Sequence, residues 1–127
     1  MTMSAKSEHL SMIQNVIARM ANNSLQIKCW TMAVIGVMVS FESTRLVIIG
    51  LIPAVLFCLM DAKYLSLEKA YRDLYDSIRI KTDTEIDYSM KFDKVSIKYG
   101  MKSWSVWAFY LAICAMVIIV AVCRGLV

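Results

Sequence analysis

The sequence predicts an all-α integral membrane protein with three transmembrane helices, a hairpin plus one, and with amphipathic helical extensions in the cytosol. Three apolar stretches without a charged residue cover residues 29–41, 46–60 and 104–123, and only residues 42–45 separate the first two. Hydrophobic residues make up 59% of the 127 positions, and the mean hydropathy is +0.59. A soluble chain of this length has too small a core to bury so much apolar surface.

The three stretches differ in how directly they predict a membrane span. The third holds 20 residues, which at about 1.5 Å per residue covers the roughly 30 Å of bilayer hydrocarbon. The first and second hold 13 and 15 residues, lengths that also suit buried helices of soluble proteins. Leu25 and Ile27 extend the first stretch past Lys28, so we expect spans at about 25–41 and 46–60.

The distribution of lysine and arginine predicts the orientation. Residues 61–103 carry nine basic residues, whereas only Arg124 follows the last span. Because cytoplasmic segments carry an excess of basic residues, we expect a membrane protein with a cytoplasmic N-terminus and with its C-terminus on the opposite side of the membrane. The same segment holds eight acidic residues, so its mixed charge argues against direct binding of nucleic acid.

Two cytosolic helices are predicted beside the membrane. Residues 1–24 have an amphipathic pattern that ends at Asn22-Asn-Ser24, where Asn23 or Ser24 would cap the first span. Residues 61–81 contain no glycine or proline and should continue the second span as one helix, although Pro53 is expected to kink that span. Apolar and aromatic side chains at spacings of three and four form a stripe along this helix: Tyr64, Leu67, Tyr71, Leu74 and Ile78. We expect the stripe to pack on the N-terminal helix, on a neighbouring subunit or on a soluble partner.

The segment 82–103 has no helical pattern. Its alternating apolar residues suit short strands or an extended cytosolic or interfacial segment. Trp104, Trp107 and Tyr110 then follow at helical spacing, as in the aromatic belt at a membrane surface.

The sequence offers little that would support catalysis. His9 is the single histidine and is expected at the surface, and the four cysteines (29, 58, 114 and 123) are expected to pack as small apolar residues. The four glycines are too widely separated to form a phosphate-binding loop. We therefore expect no enzyme activity, no cofactor and no metal.

Two features predict helix contacts. Lys28 and Asp61 lie at nearly equal distances from the predicted turn, so we expect them to pair at the cytosolic boundary and fix the register of the hairpin. Small residues that let helices approach closely recur along the first and third spans: Gly36, Ser40, Ala108, Ala112 and Ala115. These small residues would serve contacts within one subunit or between subunits.

Several segments carry a resemblance to a known group of proteins. They read Ile-Gln-Asn-Val-Ile-Ala-Arg-Met-Ala-Asn-Asn-Ser over residues 13–24, Ile-Lys-Cys-Trp over 27–30, Phe-Cys-Leu-Met-Asp-Ala-Lys-Tyr-Leu over 57–65 and Glu-Lys-Ala-Tyr-Arg-Asp-Leu-Tyr over 68–75. Asp-Tyr-Ser-Met at 87–90 and Phe-Tyr at 109–110 fit the same pattern. In this order they resemble small bacterial membrane proteins of antiviral defence islands, in particular the accessory membrane protein of the RADAR system and, more loosely, SLATT-type effectors. The resemblance implies a function without catalysis.

Three functional hypotheses follow. The chain is a homo-oligomeric effector that perturbs or opens the inner membrane and contacts lipid, or an accessory anchor whose Tyr64 to Ile78 stripe recruits a cytosolic defence protein. The third is a membrane protein without a role in defence.

Overall fold

The computed structural model describes residues 4–92 and 94–125, and 83% of these described residues are helical. The elements are α1 (Ala5–Ser40), α2 (Thr44–Ile49), α3 (Leu51–Arg79), a 3-10 turn (Asp83–Glu85), α4 (Lys98–Met101) and α5 (Trp104–Gly125). None of the described residues forms a strand, so the short strands considered for 82–103 are wrong. That segment contains the 3-10 turn and α4, and residues 86–92 and 94–96, called the extended segment below, form no regular element. The all-α fold class is confirmed.

Helix α1 is one continuous rod of 36 residues, about 54 Å long. It begins at Ser4, whose side chain accepts a hydrogen bond from the Ser7 amide. The predicted interruption at Asn22-Asn-Ser24 is wrong. Ser24 lies on the buried face of α1, four residues before Lys28 and seven before Thr31, and its hydroxyl bonds to another helix. Because Ser24 has that partner, it does not need to cap a new helix.

Helices α2 and α3 form one span from Thr44 to Arg79 with an interruption at Gly50. Pro53 has no amide hydrogen to donate to the carbonyl of Ile49, and its ring crowds that carbonyl. The helix is interrupted nearby, at Gly50, and the kink expected at Pro53 stays a prediction. Gly50 also lies against α1, since an added Cβ atom would be 3.3 Å from the side chain of Met38.

Two helices of the described chain, not three, are long and apolar enough to cross a membrane: Thr44–Arg79 and Trp104–Gly125. Two of the three predicted spans meet this criterion of length and composition, and α1 does not. The apolar part of α1 is shorter than those of the other two helices. The 18 residues that end at Ser40 include Lys28, Gln26 and Asn23, and these polar residues lower the mean hydropathy of that segment.

The three long helices pack together at their apolar ends. The core there is formed by buried residues from α1, α2, α3 and α5: Ile35, Val47, Ala54, Ile113 and Val117. At the end of α5, the Arg124 guanidinium donates hydrogen bonds to the carbonyls of Phe41 and Val39, the latter at 2.6 Å. The C-terminal ends of α1 and α5 are therefore held at the same level.

A short corner, α4, connects the extended segment to α5 and packs against α3. Gly100 makes the closest approach, since a Cβ atom added to it would lie 1.8 Å from the carbonyl oxygen of Ala62. Its amide donates to the Ser66 hydroxyl at 2.9 Å. Only a glycine fits this position, so Gly100 determines how α5 is placed beside α3.

The extended segment covers the arm of the α1–α3 hairpin that is distant from the apolar core. Phe92 packs edge to face on Tyr71, with ring centroids 4.9 Å apart, and Tyr88 does the same on His9 at 5.2 Å. His9 is buried as a result, and its expected surface position is wrong. A polar sequence neighbourhood did not indicate that a distant aromatic residue would cover it.

Candidate functional site

A buried polar cluster joins α1 to α3. Lys28 Nζ lies 2.5 Å from Asp61 Oδ2, and Ser24 donates its hydroxyl to Asp61 Oδ1. Lys28 also donates to the Ser24 oxygen at 3.1 Å, which closes the triangle. The Asp61 side chain is fully buried and that of Lys28 is 14% exposed. The structure thus brings together Lys28 and Asp61, the two residues expected to pair, and adds Ser24.

The electrostatics of the cluster require all three members. An unpaired carboxylate in an apolar interior costs several kcal/mol, and a neighbouring ammonium group offsets that cost only if hydrogen bonds satisfy the remaining oxygen. Asp61 meets both conditions, because each of its oxygens accepts one hydrogen bond. Removing Lys28 or Ser24 leaves the carboxylate incompletely satisfied.

The third long helix also reaches the cluster. Lys28 Nζ lies 6.0 Å from the centre of the Phe109 ring, at the outer limit of a cation–π contact. Phe109 is five residues into α5, about 7 Å along the helix from Trp104. The ion pair therefore lies more than one helical turn inside the start of α5, and its charge is enclosed by all three long helices.

Two further polar side chains line the interior near the cluster. The hydroxyl of Thr31, one turn beyond Lys28, donates to the Ile27 carbonyl at 2.8 Å. Tyr110 is 6% exposed, and its hydroxyl has no hydrogen-bond partner among the residues described. Trp104 and Trp107 are exposed as a membrane belt would be, whereas Tyr110 points inward, so the expected grouping of the three aromatic residues is wrong for Tyr110.

The stripe along α3 is covered within the chain. Ile78 is buried and the other four members are half-buried. Tyr71 lies under Phe92, and the neighbouring Tyr75 hydroxyl accepts a hydrogen bond from Gln14 of α1 at 3.2 Å. Three surfaces were expected to cover the stripe. In the structure the N-terminal part of α1 covers it, together with the extended segment.

The small residues of α1 and α5 that were expected to mediate helix contacts lie on the surface of the subunit. All five are exposed: Gly36, Ser40, Ala108, Ala112 and Ala115. An added Cβ atom at Gly36 would meet nothing within 4 Å. Contacts within one subunit therefore do not use these residues, and their faces are open to lipid or to another subunit.

The cysteines divide into two pairs by position. Cys29 and Cys123 are exposed, whereas Cys58 and Cys114 are half-buried and line a groove between α3 and α5. Within residues 4–92 and 94–125, no three side chains of histidine, cysteine, aspartate or glutamate come together as a metal site would require.

Sequence reasoning missed Ser24, Tyr110 and the contact between Gly100 and Ser66. The first could have been found, because Ser24, Lys28 and Thr31 share one helical face if α1 is continuous. The other two depend on the tertiary position of α5.

Comparisons of the chain with protein-family models, with curated proteins and with solved structures found no match.

Proposed function

We propose that this chain is a non-enzymatic, oligomeric protein of the bacterial inner membrane that acts in antiphage defence by perturbing the membrane. The observation that carries the proposal is the Lys28–Asp61 ion pair, which is enclosed by the three long helices. Charged residues in such a position are costly and typically serve function. The resemblance to membrane proteins of defence islands supplies the biological context.

Membrane insertion is supported by the surface of the bundle. Large apolar side chains are exposed on all three long helices, including Trp30 on α1, Ile52 on α3 and Ile119 on α5. Contiguous exposed apolar surface is rare on soluble monomers. Although the apolar part of α1 is too short to qualify as a span by itself, α1 is held level with α5 through Arg124. In our proposal α1 crosses with the other two, with the N-terminus in the cytoplasm and the C-terminus in the periplasm.

The enclosed pair provides a mechanism that needs no catalysis. Helices α1 and α3 each run without interruption from the cytosolic hairpin into the apolar bundle. Separating them at the cytosolic end would break the ion pair and expose two charges to hydrocarbon. A charge inside a bilayer draws water and thins the membrane locally. A signal received in the cytosol would thus become a hydrated defect in the membrane.

The accessory-anchor hypothesis receives less support. It requires the Tyr64 to Ile78 stripe to be available for a soluble partner. Instead, α1 and the extended segment lie on that stripe, and Tyr71 and Tyr75 have partners within the chain. A docking partner would first have to displace these contacts.

The oligomer in the proposal follows from the small residues that the subunit leaves exposed. Gly36 on α1 and Ala112 on α5 let a second helix approach closely, and packing of this kind drives association where lipid removes the hydrophobic driving force. Mass measurement of the detergent-purified protein tests this part. A stable monomer would contradict it.

The effector is tested by inducible expression with a dye that reports membrane potential. Lys28→Ala leaves the buried Asp61 carboxylate without its counter-charge, and we expect it to depolarise cells without infection, whereas the wild type stays inactive until infected. Lys69→Ala is the matched control, because Lys69 and Asp73 have the same 2.5 Å separation but are exposed. Equal amounts of each variant in the membrane fraction are required. An intact membrane potential in all strains, together with recruitment of a cytosolic protein to the membrane, would contradict the effector hypothesis and support the accessory-anchor hypothesis.

A further inference from the structure

A groove lies between α3 and α5, and its lining includes Tyr110, which lies near the ion pair. Its volume is about 200 Å³, and its exposed lining is entirely apolar. The lining residues come from both helices and the α4 corner, and include Cys58, Leu59, Met101, Trp107, Leu111 and Cys114. This volume is below the roughly 300–1,000 Å³ of pockets for drug-sized ligands, so it suits a narrow apolar occupant.

The position of the groove along α5 corresponds to one leaflet. From Trp104 to Cys114 is ten residues, about 15 Å along the helix, which is half of the hydrocarbon thickness. The lining from α3, residues 54–59, faces the same interval. In the proposed orientation this is the cytosolic leaflet.

The cytosolic mouth of the groove is basic. Met101 lies in the lining, and the exposed Lys102 and Lys98 flank it on α4. On α3, the exposed Lys63 lies one turn beyond Leu59 and next to Ala62, against which Gly100 packs. Three exposed lysines therefore lie close in sequence to the residues that line one end of the apolar groove, and the exposed Trp104 follows them at the start of α5.

We propose that this groove binds an anionic phospholipid of the cytosolic leaflet. One acyl chain lies between α3 and α5, and the headgroup phosphate contacts Lys98 and Lys102, with Lys63 beside them. Basic pockets between transmembrane helices at the cytoplasmic surface suit anionic headgroups, and the apolar lining suits the chain. The inference rests on the proposed membrane insertion but not on effector activity.

The test is native mass spectrometry of the full-length protein purified in detergent, with phosphatidylglycerol and phosphatidylcholine of identical acyl chains. We expect phosphatidylglycerol to be retained preferentially and the preference to weaken with salt. Replacing Lys98 and Lys102 by glutamine should weaken phosphatidylglycerol binding about 30-fold, the factor expected for two lysines near an anionic headgroup. The control replaces Lys91 and Lys94, which are exposed in the extended segment and carry the same charge.

A second pair of variants tests the groove itself. Leu111→Trp fills it and should abolish retention of both lipids. Ile118→Trp is the control, because Leu111 and Ile118 are each 56% exposed on α5 but only Leu111 lines the groove.

Equal retention of the two lipids, or equal effects of each variant and its control, would overturn the inference. So would crosslinking that places a second copy of the chain in the groove. Resistance of the wild type to carbonate extraction tests insertion separately, so loss of lipid preference in an inserted protein counts against the groove alone.

Discussion

Replacing Lys28 and Asp61 by alanine, singly and together, tests whether the enclosed ion pair determines the stability of the hairpin. Lys28→Ala leaves a carboxylate that is fully buried, with only Ser24 to donate to it. Breaking a buried pair in this way costs about 3–5 kcal/mol. We expect Lys28→Ala to be the more damaging single change.

Asp61→Ala should cost less, about 2–3 kcal/mol. The remaining ammonium group is 14% exposed and sits on a long aliphatic stem, so it can extend toward the cytosolic surface. The double variant removes both charges and leaves an unpaired Ser24 hydroxyl, a loss of about 3–4 kcal/mol including the lost packing. The single losses sum to roughly 6 kcal/mol, so the coupling energy is about 2–3 kcal/mol.

The free energy of unfolding is measured by titration with sodium dodecyl sulfate in mixed micelles. Lys69→Ala, Asp73→Ala and their double variant form the control cycle, since that pair has the same separation of 2.5 Å on the exposed surface of α3. We expect additive effects there, because solvent screens exposed pairs. Additivity at Lys28 and Asp61 within about 0.5 kcal/mol would refute the reasoning.

Three other changes test the contacts that position α5 and the extended segment. Gly100→Ala should displace α4 from α3 and accelerate amide hydrogen exchange over residues 98–103. Gly36→Ala is the control and should leave exchange unchanged, because the space around Gly36 is open. Equal exchange in the two variants would contradict the close contact between α4 and α3. Arg124→Gln removes charge-assisted hydrogen bonds to the end of α1 and should speed exchange in the last turn of α5, and unchanged exchange there would show that the contact is not maintained in solution. Phe92→Ala removes an aromatic pair that contributes about 0.5–1.5 kcal/mol and should increase trypsin cleavage in the extended segment, and an unchanged rate would mean that this pair does not hold the segment in place.

Patterns within single helices made much of the fold predictable. The stripe of residues 64–78 marks one face of a helix, and the uninterrupted apolar run of residues 104–123 marks a whole helix. Local sequence determines both features. A turn was predicted at residues 42–45, because these residues interrupt two apolar runs. In the structure α2 begins at Thr44, so the turn is shorter than predicted. These features depend on nothing beyond the element itself.

Features that depend on a partner element were missed. The pattern around Ser24 reads as a helix cap when taken alone, because serine and asparagine favour that position. Ser24 lies inside the helix because Asp61, 37 residues away, accepts a hydrogen bond from its hydroxyl. His9 was misplaced for the same reason, since Tyr88 covers it from a segment without periodicity.

Asp61 and Ala62 place two separate contacts at one level of α3. Asp61 is tied to α1 through Lys28 and Ser24, and the carbonyl of the next residue, Ala62, is in contact with Gly100 of the α4 corner. Because adjacent residues of a helix point about 100° apart, this single level determines both the register of α1 and the position at which α5 begins. A movement of α1 that pulls on Asp61 is therefore transmitted to α4, and through it to the basic mouth of the groove. In our proposal, disruption of the ion pair and release of the lipid are consequently coupled, so Asp61→Ala should weaken phosphatidylglycerol binding although Asp61 does not line the groove. Unchanged lipid binding in that variant would mean that the two contacts respond independently.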